Sequence, residues 1–173
     1  MLQVVDNFFN DLDFVLKQSK QMDYFSAEKL MFLQGHNQSW PGERTLQFSE
    51  ILKNSLNQYQ SLHDYTHNNV LNKFNFNNTT KNVKYVFHKR FEKDNGKDWI
   101  HRDASDFALI VYLSDTNLNS GTTFYNDDEK ETMTVNFVQN RAILFNSKIL
   151  HTSKLNYGNK ENCRLTLNGF IWL

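Results

Sequence analysis

The chain of 173 residues balances 19 Lys+Arg against 19 Asp+Glu, which removes the basic footprint of a nucleic-acid binder and leaves length for one domain with a proper core. Aromatic residues make up 14% and there are 6 Gly and 1 Pro, a folded rather than a disordered composition despite a mean hydropathy of −0.64. Cys163 is alone, so no internal disulfide is expected; with no signal-peptide pattern at Met1–Asp6 and no apolar run near the roughly 18 residues of a membrane helix, a soluble, cytoplasmic protein is expected.

After a short apolar opening from Leu2 to Val5, Asp6 or Asn7 is placed to N-cap a helix. In it Phe8, Leu12, Val15 and Leu16 recur at helical spacing to about Lys20. Residues 30–33 read as a strand and 35–42 as a loop closing on Trp40-Pro41-Gly42. Phe48, Ile51, Leu52, Ser55, Leu56, Tyr59 and Leu62 put a second helix over about 45–63, and a polar stretch follows over 68–82. From Val83 the pattern changes to short apolar or alternating runs separated by turn residues: 83–91, 98–103, 107–114, 122–125, 132–138, 142–145, 149–155 and 164–173. Helices first and many short strands after predict a mainly β sandwich or barrel with N-terminal helices packed on one face. No repeat or linker divides the chain, so one domain is expected over 1–173, with mostly helical support in 1–80 and the core in 81–173.

Trp99-Ile100-His101-Arg102-Asp103 precedes the most hydrophobic of these strands. In an extended chain residues i and i+2 share a face, so His101 and Asp103 converge while Arg102 faces away. Alone, the pair fits a polar strand edge better than a metal site. His151, beside Ile149 and Leu150, offers a third donor, and two imidazoles with one carboxylate suit non-haem Fe(II) with open positions. On the last strand, Arg164, Thr166, Asn168, Phe170 and Trp172 alternate with Leu165, Leu167 and Ile171. Arg164 there is either exposed to solvent or gripping an anion, for which a planar guanidinium offers two parallel hydrogen bonds. His63-Asp64-Tyr65-Thr66-His67 spaces two histidines as in zinc-protease helices, but Asp stands where those carry Glu and no third ligand follows. A solvated helix terminus accounts for it better, and His36 and His88 read as surface residues.

Taken together, His101-Arg102-Asp103, His151 and Arg164-Leu165-Thr166 resemble the His-x-Asp, His and Arg-x-Ser/Thr elements of the Fe(II)/2-oxoglutarate-dependent oxygenases. Within that superfamily the resemblance is to the prolyl 4-hydroxylase-like branch, over about residues 83–173. It implies a double-stranded β-helix, a jelly-roll, cupin-like barrel with the metal at one open end. It further implies that His101, Asp103 and His151 hold Fe(II), and that the far carboxylate of 2-oxoglutarate pairs with Arg164, helped by Thr166 and Tyr112. Dioxygen is the implied co-substrate and ascorbate a supporting reductant. The implied reaction couples decarboxylation of 2-oxoglutarate to succinate with hydroxylation of a C–H bond, since Asp103 disfavours halogenation. A peptidyl prolyl residue is the first substrate it suggests, and a free amino acid or other small molecule the alternative. Asn168 and Phe170 are expected to line the pocket, with Trp99 at the entrance and Tyr85, or Phe87 under a register shift, near the 2-oxo acid. A non-enzymatic metal- or ligand-binding barrel is the competing class; it predicts loss of the arginine or of a ligand, and this chain keeps all four. The expected partner is a peptide, protein or small-molecule substrate, with no nucleic acid and no membrane. The Trp40–Arg44 loop and the 91–99 hairpin are the expected substrate rim, with Arg44 or Arg102 as candidates to meet an acidic group.

Overall fold

The alternating runs fold as antiparallel strands in two facing sheets. The computed structural model describes residues 1–34, 40–48, 58–76 and 82–173. Among these the strands are β1 (Leu2–Val5), β2 (Phe25–Ser26), β3 (Glu43–Arg44), β4 (Asn82–Arg90), β5 (Phe107–Tyr112), β6 (Asn117–Tyr125), β7 (Glu131–Phe137), β8 (Ala142–Asn146), β9 (Leu150–Ser153) and β10 (Arg164–Trp172). The described helices are α1 (Leu12–Gln21), α2 (Ala27–Gln34) and α3 (Gln58–Lys73). The larger sheet runs β1-β8-β5-β10-β4-β3-β2 and the smaller β7-β6-β9. A bridge between His101 and His151 lays the 101 segment alongside β9. Four strands, β8-β5-β10-β4, therefore face the smaller sheet and its added segment, which is the double-stranded β-helix. β10 lies at its centre, paired with β4 from Arg164↔Arg90 to Trp172↔Asn82 and with β5 from Thr166↔Tyr112 to Ile171↔Phe107.

Alternation along these strands produces two cores. The outer face of the larger sheet gives Tyr85, Phe87, Leu109, Val111, Leu144, Leu167 and Ile171, which pack with Phe8, Val15, Phe48, Leu62 and Val70 of the N-terminal segment. The inner face gives Ala108, Tyr112, Ile143 and Phe145, which meet Phe124, Val135 and Phe137 of the smaller sheet. The N-terminal segment is more than helical support, because β1 pairs with β8 and β3 with β4.

Where local structure departs from the sequence expectation, tertiary contacts explain it. Asp11, not Asp6 or Asn7, caps α1, its carboxylate accepting from Phe14 N–H at 2.9 Å. Phe8 and Phe9 are held extended before the helix: Phe8 N–H donates to Asn140 O at 2.9 Å, and the Asn140 amide bonds both backbone groups of Phe9. Residues 30–33 lie in α2 rather than a strand, since Ala27, Glu28 and Lys29 are strong helix formers and the apolar run does not alternate. α3 runs well past His63 into the polar stretch, because Leu62, Thr66, Val70 and Phe74 form one buried stripe at spacings of four. Ile51, Leu52, Ser55 and Leu56, the side chain of Tyr59, and His36 lie outside the described residues. The run expected over 122–125 extends back to Asn117 in β6, with a register shift between Asn117 and Gly121. Gly42 sits at φ +85 with the place of a Cβ only 2.1 Å from Lys89 O, so glycine there lets the Trp40–Arg44 segment close onto the end of β4. No described helix is long and apolar enough to cross a membrane.

Candidate metal centre and its cleft

The bridge between residues 101 and 151 turns two strand ends into one site. Their backbone N–H and C=O groups exchange hydrogen bonds of 3.1 and 3.0 Å, which brings the imidazole centroids to 4.5 Å. Asp103, two residues on, is tied by its N–H to Ser147 O at 3.0 Å. Its carboxylate lies 3.9 Å from His101 Nε2 and 3.4 Å from His151 Nε2. Donor atoms of all three residues fall within 4.8 Å of one another, and among the described residues this is the one such cluster. Both rings are oriented by their other nitrogen: His101 Nδ1 lies 2.9 Å from Trp99 O, and His151 Nδ1 3.0 Å from Ile149 O. A carbonyl can only accept, so each Nδ1 carries a proton and each Nε2 faces the shared point. Arg102 faces away, bonded to Lys148 O at 2.8 Å and paired with Asp127 at 2.7 Å.

The electrostatics keep the donors ready for a cation. Burial lowers His101 below the ordinary imidazole value, and the neighbouring His151 lowers it further against the pull of Trp99 O and Asp103. Burial alone raises the Asp103 carboxyl, but the His151 hydrogen bond and the charges of His151, His101 and Arg44 outweigh it and hold the group low.

Arg164 is 4% exposed beside this centre. One guanidinium nitrogen donates to Gly121 O at 3.1 Å, its Nε has no partner, and no described carboxylate pairs with it. Asn168, also facing inward from β10, has a buried Oδ1 without a partner. Thr166 Oγ1 makes only a long 3.5 Å contact with His88 O. Tyr112 lies with its ring 5.8 Å from the Arg164 guanidinium carbon, and its hydroxyl meets Thr122 Oγ1 at 2.8 Å and Val135 O at 3.0 Å. A narrow inner cavity joins His101, Asp103 and His151 to Arg164, Asn168 and Phe170. Its outward continuation is a cleft of about 310 Å³ walled by Trp40, Pro41, Arg44 and Trp99, which is 50% exposed. Tyr85 does not belong to this pocket. Its parity on β4 sends it to the outer core, where its hydroxyl lies 3.2 Å from His67 Nδ1, and Phe87 packs on the same side.

The inner face of β4 instead presents His88 and Arg90. His88, expected at the surface, is 1% exposed. Arg44 Nε donates to its Nδ1 at 3.3 Å, while Pro41 O lies 2.8 Å and Arg90 Nε 3.1 Å from its Nε2. Burial, then the charges of Arg44 and Arg90, hold His88 far below the ordinary value, so it is neutral. Arg90 pairs with Asp98, which also accepts from Ser153 Oγ at 2.6 Å and Asn156 Nδ2 at 2.7 Å. The strand over 83–91 was readable and its alternation puts His88 with Arg90, but nothing in the pattern says what lies opposite. His63 and His67 sit within α3 rather than at its end, with centroids 6.2 Å apart, and do not approach the metal donors.

Neither a family model nor a curated protein matches the sequence. Similarity lies in three dimensions. A prolyl 4-hydroxylase from Pseudomonas putida is similar over 99% of this chain and 91% of its own, with TM-score 0.59 and 13% identity. A Trichoplax adhaerens prolyl hydroxylase, solved with a hypoxia inducible factor oxygen degradation domain peptide fragment, is similar over 99% and 83%, with TM-score 0.58 and 14% identity. The non-haem α-ketoglutarate-dependent epimerase SnoN from nogalamycin biosynthesis is similar over 97% and 76%, with TM-score 0.58 and 10% identity. The chain has the fold of the 2-oxoglutarate–Fe(II) oxygenases.

Proposed function

We propose that this chain is a 2-oxoglutarate-dependent Fe(II) dioxygenase that hydroxylates a C–H bond, with a prolyl residue of a peptide as its first substrate class. The observation that carries the proposal is the pairing of two unsatisfied needs in one cavity: three convergent metal donors, and a buried guanidinium with no counter-ion. His101, Asp103 and His151 would hold the Fe(II), a donor set suited to that ion with positions left open. The unpartnered Nε of Arg164 and Oδ1 of Asn168 fit an anion with hydrogen-bonding capacity at the barrel's inner end, as the distal carboxylate of 2-oxoglutarate provides. When bound, the iron and 2-oxoglutarate supply the oxidising power: dioxygen and 2-oxoglutarate are consumed, succinate and carbon dioxide leave, and one oxygen atom enters the substrate C–H bond.

The protein's own contributions are binding, orientation and dryness. Arg164 anchors the co-substrate, and the Thr166 hydroxyl is free to turn to it. Tyr112 takes part directly only by releasing Val135 O; otherwise its ring flanks Arg164. Phe124 and Phe145 pack on the His151 ring, with centroids at 6.3 and 4.8 Å, and exclude water from that side. The peptide class is supported by the open cleft and by a second cavity of about 380 Å³ that shares Trp40, Pro41 and Trp99 with it, longer together than one amino acid needs. The test is succinate release from 2-oxoglutarate with Fe(II), followed by mass spectrometry of proline-containing peptides for the gain of one oxygen atom. Release that persists in His151→Ala would exclude this centre as its source. Release without any hydroxylated peptide, but with a hydroxylated free amino acid, would move the substrate class to small molecules.

A further inference from the structure

We propose that Arg44 is a substrate clamp: the cleft at the barrel mouth takes a substrate bearing a carboxylate, which Arg44 grips between the walls made by Trp40 and Trp99. This rests on the oxygenase assignment and adds to it the charge of the substrate. Arg44 lines both the outer cleft and the inner cavity, so it stands where an incoming substrate passes towards His101 and Asp103. Its guanidinium carbon lies 4.5 Å from the centre of the Trp40 ring, and its Nε is bonded to neutral His88. Among the described residues its two terminal nitrogens have no hydrogen-bond partner and no carboxylate pairs with it. The fork that suits a carboxylate is therefore unused on a residue that lines the cleft.

Charge bookkeeping leads to the same residue. Arg90 is paired with Asp98, Arg102 with Asp127, and Asp103 belongs to the metal donors. A divalent ion and the doubly negative 2-oxoglutarate cancel, and Asp103 offsets one of the two remaining cations, Arg164 and Arg44. One positive charge is left over, and an anionic group on the substrate, met at Arg44, would neutralise it. Two sources share this chemistry, an acidic side chain within a peptide and the α-carboxylate of a free amino acid.

The three tryptophans permit a direct binding test, because Trp40 and Trp99 line the cleft while Trp172 closes the far end of β10. The Trp172→Phe protein, loaded with Mn(II) and 2-oxoglutarate, is titrated with two acid/amide pairs while Trp fluorescence is read. One pair is the capped peptides Ala-Glu-Pro-Ala-Ala and Ala-Gln-Pro-Ala-Ala; the other is L-proline and L-prolinamide. In one pair the acid should bind about tenfold tighter than the amide, the worth of one charge-assisted hydrogen-bonded contact. Arg44→Gln should abolish that preference, and Arg44→Lys, which keeps the charge without the fork, should retain part of it. Preference in the peptide pair assigns the carboxylate to a side chain, and preference in the proline pair to a free amino acid. Equal binding of acid and amide, no binding of any probe, or a preference that survives in Arg44→Gln overturns the proposal. Each preference is a ratio within one protein, so partial unfolding of a variant does not imitate its loss. Succinate release without added substrate tests the oxygenase assignment separately: its absence sinks that assignment, whereas release without an acid preference sinks only the clamp.

Discussion

Replacing Arg164 by methionine should make the ligand-free protein more stable and blind to 2-oxoglutarate. The guanidinium is 4% exposed, and its compensation is one hydrogen bond to Gly121 O at 3.1 Å and the ring faces of Tyr112 and Phe137 at 5.8 and 5.5 Å. Removing an ion from water costs several kcal/mol after relaxation. Against this, the charged hydrogen bond returns about 1.5–3 kcal/mol and each ring contact about 0.5–2 kcal/mol. Methionine fills much of the same volume and abolishes the desolvation cost, and Gly121 O keeps its bond from Lys154 N–H at 3.1 Å. The expected balance is a gain of about 1–2 kcal/mol, or about 2–8 °C in Tm for a chain of this size. In the wild type with Mn(II), 2-oxoglutarate at about 100 times its Kd adds about 2.7 kcal/mol, and in Arg164→Met it should add nothing. Thermal unfolding followed by circular dichroism, with and without 2-oxoglutarate, reads both effects. A variant that melts below the wild type without ligand, or that keeps the wild-type increment, refutes the view that Arg164 is held unpaired for an anion.

Three further outcomes are expected. Asp103→Ala and His101→Ala should each weaken Co(II) binding, followed by its visible absorption, by more than the roughly 10–100-fold that loss of an outer-shell partner costs; unchanged absorption would remove those residues from the centre. Asp98→Asn strands the buried Arg90 charge and should cost about 3 kcal/mol in urea unfolding, and a loss below about 1 kcal/mol would show the pair to be energetically idle. Asp6 is held below its ordinary value of 3.8 chiefly by its hydrogen bond from Arg141. Its contribution is therefore present above that pH and is lost as pH falls through the folded-state value. At 55% side-chain exposure the contribution is under about 1 kcal/mol. Wild type and Asp6→Asn should accordingly differ slightly at neutral pH and converge as pH falls through the folded-state value, and a difference that widens in acid would contradict the sign.

Period-two patterning made most strands from Val83 onward readable to within about two residues, but β6 begins at Asn117 rather than 122, and the run over 98–103 forms only the bridge at His101. The order of His101, Asp103, His151 and Arg164 along the chain likewise carries the resemblance to the 2-oxoglutarate–Fe(II) oxygenases without any contact. α2 escaped that analysis because a short apolar run does not distinguish helix from strand, and α3 because its buried stripe includes the polar Thr66 and Asn69. Only the tertiary structure decided that residues 101 and 151 pair backbone to backbone, since strand pairing at such separation leaves no local signature. It also decided the inside and outside of β4, sending Tyr85 to the helices and His88 to the barrel. Arg44 shows both sides of the division: the turn residues before it mark a rim loop, but it belongs to a two-residue strand too short to carry any period, and what fixes it at the cleft rather than Arg102 is its pairing with His88 across the sheet.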